Sequence, residues 1–266
     1  MYKAFYSLSG TPFSKELRVA DALATPPFEE ATGCLNYMKQ VRGMGLLVGE
    51  PGAGKTFVLR VFAETLNKSL YKVIYFPLSS GSVSDFYRGL AFGLGEEPKT
   101  RKVDLFRQIQ QAITSSFHER KVTPVFILDE MQLAKDVFLS DLSLLFNFQL
   151  DSFNPFIMLL SGLPYLRDRL TLSHNRPLAQ RLMMSHHLEP LNKDEVNAYV
   201  AHHMSRAGAK HTIFTDAAME ALAACSKGYP RLLNKLAIQA LLYGCLRKAE
   251  QIDADLIRIA AEETGM

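Results

Sequence analysis

Short apolar runs separated by longer stretches of helical periodicity set the plan of this chain. Residues 45–48 (GLLV), 72–77 (KVIYFP), 125–128 (VFIL) and 156–160 (FIMLL) are four such runs. All four predict strands, and VFIL, uniformly apolar, predicts one buried on both faces. Residues 188–191 are a candidate fifth strand. Between the runs, residues 28 to about 41, 56–66, 84–94, 103 to about 120 and 140–151 carry apolar side chains at helical spacing. Strands alternating with helices predict an α/β fold: an αβα three-layer sandwich around a parallel sheet.

After Pro190 the pattern changes. Residues 192–207, 216–226, 231–247 and 253–263 all read as amphipathic helices. Leu232, Leu233, Leu236, Ala237, Ala240 and Leu241 form an apolar stripe at helical spacing. Residues 1–27 are punctuated by Gly10, Pro12, Pro26 and Pro27 and read as an extended arm. The expected organisation is an arm (1–27), an α/β domain (28–190) and a smaller helical domain (191–266).

Composition narrows the class. The chain has 266 residues, 48% hydrophobic and 21% charged, with a net charge of +3. Such a chain buries a large core and is not disordered. A weak global field excludes a protein that coats nucleic acid by bulk charge, so DNA binding would need a local patch. Residues 181–266 hold ten basic and ten acidic side chains, so the excess lies ahead of the last helices. Cys34, Cys225 and Cys245 are an odd number of thiols without a CxxC pair, which argues against a disulfide framework. The paired histidines lack metal-ligand spacing for zinc. No membrane span and no signal-peptide plan are visible, so a cytoplasmic location is expected.

The loop after the first strand carries chemistry. Gly49-Glu50-Pro51-Gly52-Ala53-Gly54-Lys55-Thr56 fits GxxxxGK[ST]. Its glycines let backbone N–H groups turn toward phosphate oxygens, and a helix N-terminus beginning near Lys55 faces the same anions. Lys55 is expected to reach the β- and γ-phosphates of ATP, and the Thr56 hydroxyl to join a Mg²⁺ shell. Phe57 follows directly and completes the nucleotide-binding run. The third strand ends in Asp129-Glu130. Asp129 is the candidate to hold Mg²⁺, and Glu130 the general base that polarises the attacking water. Ser161 ends the fourth strand, where it either orients that water or merely caps the strand. Arg231, in Gly228-Tyr229-Pro230-Arg231, either folds onto the γ-phosphate or is a surface arginine at a helix start.

A P-loop, tandem acids after the third strand, a polar end to the fourth, and GYPR in a helical appendage resemble the AAA+ ATPases. The segments YKAFYSLSGTPF, GEPGAGKT, LDEMQ, SGLPYLRDRL, LAQRL…HHLEPL and GYPRLLNKLA are similar to the ExeA-like group, which includes transposition ATPases of the TnsC/TniB type. The resemblance implies a P-loop AAA+ fold with a C-terminal helical lid. It implies ATP-driven rings or filaments on double-stranded DNA that recruit or activate a transposase. It also implies an arginine finger supplied to a neighbouring subunit at Arg181, with Arg176 as competitor, and a polar sensing position at Gln132. Secretion-associated members carry a membrane segment and a cell-wall-binding region. A sequence ending at Met266 with neither is taken to favour transposition over a cytoplasmic ATPase acting on protein partners.

Lys99-Thr100-Arg101-Lys102 is the most concentrated basic cluster. It is either a solvated loop or a strip that tracks DNA phosphates without reading bases. No helix-turn-helix pattern with a basic recognition helix is present, so binding is expected to be sequence-nonspecific.

Overall fold

The computed structural model describes residues 1–14, 16–77, 82–148 and 152–265. The elements run α1 (Tyr2–Phe5), α2 (Pro26–Val41), β1 (Gly43–Val48), α3 (Lys55–Thr65), β2 (Tyr71–Pro77), α4 (Val83–Leu94) and α5 (Lys102–His118). There follow β3 (Thr123–Asp129), α6 (Asp136–Leu145), β4 (Ile157–Gly162), α7 (Tyr165–Thr171), α8 (Arg176–Ala179) and β5 (Leu182–His187). The last four helices are α9 (Lys193–Arg206), α10 (Asp216–Ser226), α11 (Pro230–Leu246) and α12 (Ala254–Glu263). The chain forms two compact units: Glu30–Glu50 with Lys55–Leu188, and Met1–Glu29 with Pro51–Gly54 and Glu189–Met266.

The first unit is built on one sheet in the order β2-β3-β4-β1-β5, and every pairing is parallel. Its central strands β1 and β4 are buried at every position, and β3 at all but Thr123. That is why they appear in the sequence as unbroken apolar runs. The edge strands differ. In β2 only Ile74 is fully buried, while Val73, Tyr75 and Pro77 are exposed. β5 (LMMSHH) mixes half-buried and exposed positions. No apolar run marks β5, so the fifth strand lies at residues 182–187 rather than at 188–191. Leu188 closes the pairing by donating its N–H to the Val48 carbonyl. Phe126, Phe146 and Phe156 pack edge to face at the centre, with centroids 5.2 and 4.8 Å apart. α6 begins and ends earlier than the periodicity suggests, and residues 149–151 fall outside the described residues. α7 was not predicted.

α4 starts with a capping box, in which Ser82 Oγ accepts from the Asp85 N–H and Asp85 accepts from the Ser82 N–H. α4 packs against α5, burying Tyr87, Leu90, Leu105 and Ile109 in the same core.

The second unit has its own core around Val196, Leu222, Leu233, Leu236, Leu241, Ile252 and Ile257. Leu232, predicted in the stripe, is only half-buried. The N-terminal residues belong to this core and are not an extended arm. Tyr6, Leu8 and Phe13 are buried in it, and the Tyr6 hydroxyl donates to the Ala249 carbonyl at 2.9 Å. The Ser9 and Gly10 N–H groups donate to the Ala207 carbonyl. Gly10 and Pro12 break the periodicity between these anchors, so the sequence shows turns where the structure shows packing.

Among the described residues, no helix is long and apolar enough to cross a membrane.

Candidate functional site

The ends of β1 and β3 set the site. β1 leaves the sheet at Val48, and the loop that follows turns through Gly52 and Gly54, at φ +88° and +108°. Such angles suit glycine, which has no Cβ to clash. α3 then begins at Lys55. The Lys55 ammonium donates to the loop's own carbonyls, Gly49 O at 2.8 Å and Glu50 O at 3.1 Å. The Thr56 hydroxyl donates to Asp129 Oδ2 at 3.0 Å.

Asp129 is the last residue of β3 and only 3% exposed. A carboxylate buried this far needs partners for its oxygens. Oδ1 accepts the Glu130 N–H at 2.9 Å, and Oδ2 accepts from Thr56 and, at 3.4 Å, from the Tyr75 hydroxyl. Burial, and next the Asp129 charge, raise the Tyr75 phenol above its ordinary value. The hydroxyl therefore stays a donor.

Glu130 sits in left-handed backbone at φ +59°, which turns its side chain out of the strand direction into solvent. Its Oε2 accepts from Gln132 Nε2. The Gln132 Oε1 in turn accepts the Leu163 N–H at 3.2 Å. Gln132 thus ties the tandem acids to the end of β4. Gly162 permits this approach, since a Cβ there would lie 2.9 Å from Gln132 Oε1 and 2.8 Å from Leu166 Cδ2. Ser161, beside it, is fully buried, and its Oγ has no hydrogen-bond partner among the described residues.

Behind Gln132, Arg169 is a hub that sequence reasoning missed. It donates to the carbonyls of Gln132 (3.1 Å) and Ala134 (2.8 Å) and to Asp136 Oδ1 (2.7 Å). The Arg169 hydrogen bond, with a second from Asn175, holds the Asp136 carboxyl down to about 2. The segment following Glu130 is thereby pinned to α7.

The structure brings Gly49, Glu50, Lys55, Thr56, Asp129, Glu130 and Gln132 into one corner. Phe57 follows on α3 with the Arg60 guanidinium 5.0 Å over its ring. In the helical unit, the Arg231 N–H meets the Gly52 carbonyl at 3.3 Å, and Ala53 is 7% exposed. Pro51 and the Arg231 side chain are exposed. Arg181 points its guanidinium at the Ser143 carbonyl near the end of α6, while Arg176 is exposed at the start of α8. Lys99, Thr100, Arg101 and Lys102 are all exposed. Within that run, the Lys102 ammonium pairs with Asp141 at 2.6 Å, leaving Lys99 and Arg101 as its more available cations. Tyr75 also escaped the sequence reading. Its link to Asp129 depends on the strand register, which no motif encodes.

The profile of a family described as an AAA domain matches residues 38–170. The general secretion pathway protein A of Aeromonas hydrophila is 31% identical over 268 residues, covering all of this chain and 49% of that protein. The chain therefore spans about half the length of that relative. Cdc6p of Pyrobaculum aerophilum has a similar structure: TM-score 0.69 at 16% identity, over 98% of this chain and 70% of that one. The ORC1 protein of Aeropyrum pernix, solved in complex with DNA, gives a TM-score of 0.62 at 14% identity, over 92% of this chain and 67% of that one.

Proposed function

The chain belongs to the AAA domain family, and from that premise we propose that it hydrolyses ATP, binds DNA without sequence preference, assembles on it with ATP, and regulates a transposase. The corner formed by Thr56, Asp129 and Glu130 is the observation that carries the ATP-driven part of this reading.

In the proposed site the backbone N–H groups of Gly52–Thr56 and the Lys55 ammonium hold the phosphates, in the run Gly49–Thr56 whose Pro51 has no N–H to give. Phosphate oxygens would replace the loop carbonyls that now occupy Lys55. The Thr56 hydroxyl and Asp129 Oδ2, 3.0 Å apart, are hard oxygen donors of the kind Mg²⁺ prefers. Bound there, Mg²⁺ would offset charge on the phosphates. Glu130 takes the proton of the water whose oxygen bonds to the γ-phosphorus as the bond to ADP breaks. To do so it leaves Gln132. Ser161, buried and without a partner among the described residues, orients that water or its neighbours. Arg231, whose N–H meets the Gly52 carbonyl, is the further proposed nucleotide contact. Arg181 serves as the finger for a neighbouring copy, with Arg176 as alternative, so turnover depends on self-association.

The exposed Lys99-Thr100-Arg101-Lys102 run supports the DNA reading. A single copy makes few phosphate contacts, whereas copies repeated in a ring or filament multiply them. The likeness to ORC1 adds a fold that is found on DNA in another protein.

A second reading is a cytoplasmic ATPase that drives a secretion or assembly system by acting on protein partners. The 31% identity to a secretion pathway protein favours it. Where this sequence ends does not separate the two, because it spans only half of that relative.

Sedimentation with long random-sequence DNA tests the choice. Co-sedimentation is expected with a non-hydrolysable ATP analogue, absent without nucleotide, and weakened when Lys99 and Arg101 are replaced by Ala. No nucleotide-dependent DNA binding at low salt would overturn the DNA reading in favour of the second.

A further inference from the structure

Tyr75 stands out because packing does not explain its placement. It lies on the edge strand β2 and is 51% exposed, two positions after the exposed Val73 on the same face. Its ring is not held by a surrounding core. Its hydroxyl nonetheless reaches across to Asp129 Oδ2. The register accounts for the reach. Tyr75 pairs with Ile127 and Pro77 with Asp129, so Tyr75 and Asp129 lie two positions apart on one face of the sheet. Few side chains span that diagonal and still end in a donor.

We propose that Tyr75 is a positioning residue for ATP hydrolysis, its hydroxyl fixing the Asp129 carboxylate from the open face of β2. The proposal rests on the reading of Thr56 and Asp129 as the metal-holding pair. Asp129 Oδ1 is fixed by the Glu130 backbone, and Oδ2, among the described residues, by the side chains of Thr56 and Tyr75. If the Thr56 hydroxyl also serves a metal ion, Tyr75 is the remaining side chain that sets the carboxylate's rotation. Partners that orient a ligating carboxylate typically matter about 10- to 100-fold in metal affinity. At 3.4 Å this bond is long, which puts the expected effect at the lower end.

The test is binding of a fluorescent N-methylanthraniloyl-ATP to the full chain, with and without Mg²⁺. Tyr75→Phe keeps the ring and removes only the hydroxyl. Metal-free affinity is expected to match wild type within about twofold, and the gain on adding Mg²⁺ to shrink by about tenfold. Asp129→Asn is the reference and should lose the gain altogether. Val73→Ala, on the same exposed face, should keep it and controls for disturbance of β2. If Asp129→Asn loses the gain while Tyr75→Phe keeps it, the role of Tyr75 is refuted and the metal reading stands. If Asp129→Asn keeps the gain, the metal reading fails, and the proposal with it. Equal weakening with and without Mg²⁺ in Tyr75→Phe would mark a general structural defect and also refute the proposal.

Discussion

His203 should make the helical unit sensitive to mild acid. It is 4% exposed on α9, stacked 5.1 Å from Phe13 and packed 4.4 Å from Tyr199, and its Nε2 has no partner among the described residues. Burial, then the neighbouring His202 and Arg206, push its imidazole from 6.5 down to about 4. The folded state therefore resists a proton that the unfolded chain accepts. Below pH 6.5 the unfolded state gains that proton and stability falls, levelling off once the folded imidazole titrates near pH 4. At 1.36 kcal/mol per pH unit the full effect is about 3 kcal/mol, and the part between pH 7 and pH 5 about 2 kcal/mol. The perturbation is His203→Phe, which preserves the stacked ring and removes the buried, unpartnered nitrogen. Urea unfolding followed by far-UV circular dichroism at both pH values gives the comparison. The wild type should lose about 2 kcal/mol between pH 7 and pH 5, and the variant only a small fraction of that. Equal losses in the two proteins would refute the reasoning, because the acid sensitivity would then lie elsewhere.

Two further substitutions probe the packing and the site. Tyr6→Phe removes the hydrogen bond to Ala249 O and should cost about 1 kcal/mol. Tyr6→Ala should cost about 3–5 kcal/mol in the same urea titration, and an unchanged midpoint would detach the N-terminal residues from the helical core. Gly162→Ala places a methyl 2.9 Å from Gln132 Oε1 and 2.8 Å from Leu166. It should lower stability by about 1–3 kcal/mol and break the Gln132–Leu163 link. Faster amide exchange at Leu163 would report the break, and unchanged exchange would count against it.

How much of this was legible in the sequence depended on whether the signal was local. The loop from Gly49 to Thr56 is contiguous, and its strand, turn and helix follow in order, so both motif and fold could be read from it. Asp129 and Glu130 stand out because they follow the unbroken apolar run Val125–Leu128. β5 did not, because an edge strand with Ser185, His186 and His187 has no apolar run to find. The N-terminal residues read as an arm in the sequence because Tyr6, Leu8 and Phe13 anchor singly, without a period. Gln132 was singled out by resemblance, but its link to Glu130 and Leu163 needed the tertiary structure. Arg169 and Tyr75 were out of reach, since the partners of both are set by how distant segments pack.

The role of Glu130 carries the account of catalysis, and Glu130→Gln tests it most directly. The substitution keeps the size of the side chain and its capacity to bond Gln132, and removes the base. Phosphate release should fall by about 10²- to 10⁴-fold, while binding of the fluorescent ATP analogue stays within twofold of wild type. Retained phosphate release in Glu130→Gln would contradict the assignment.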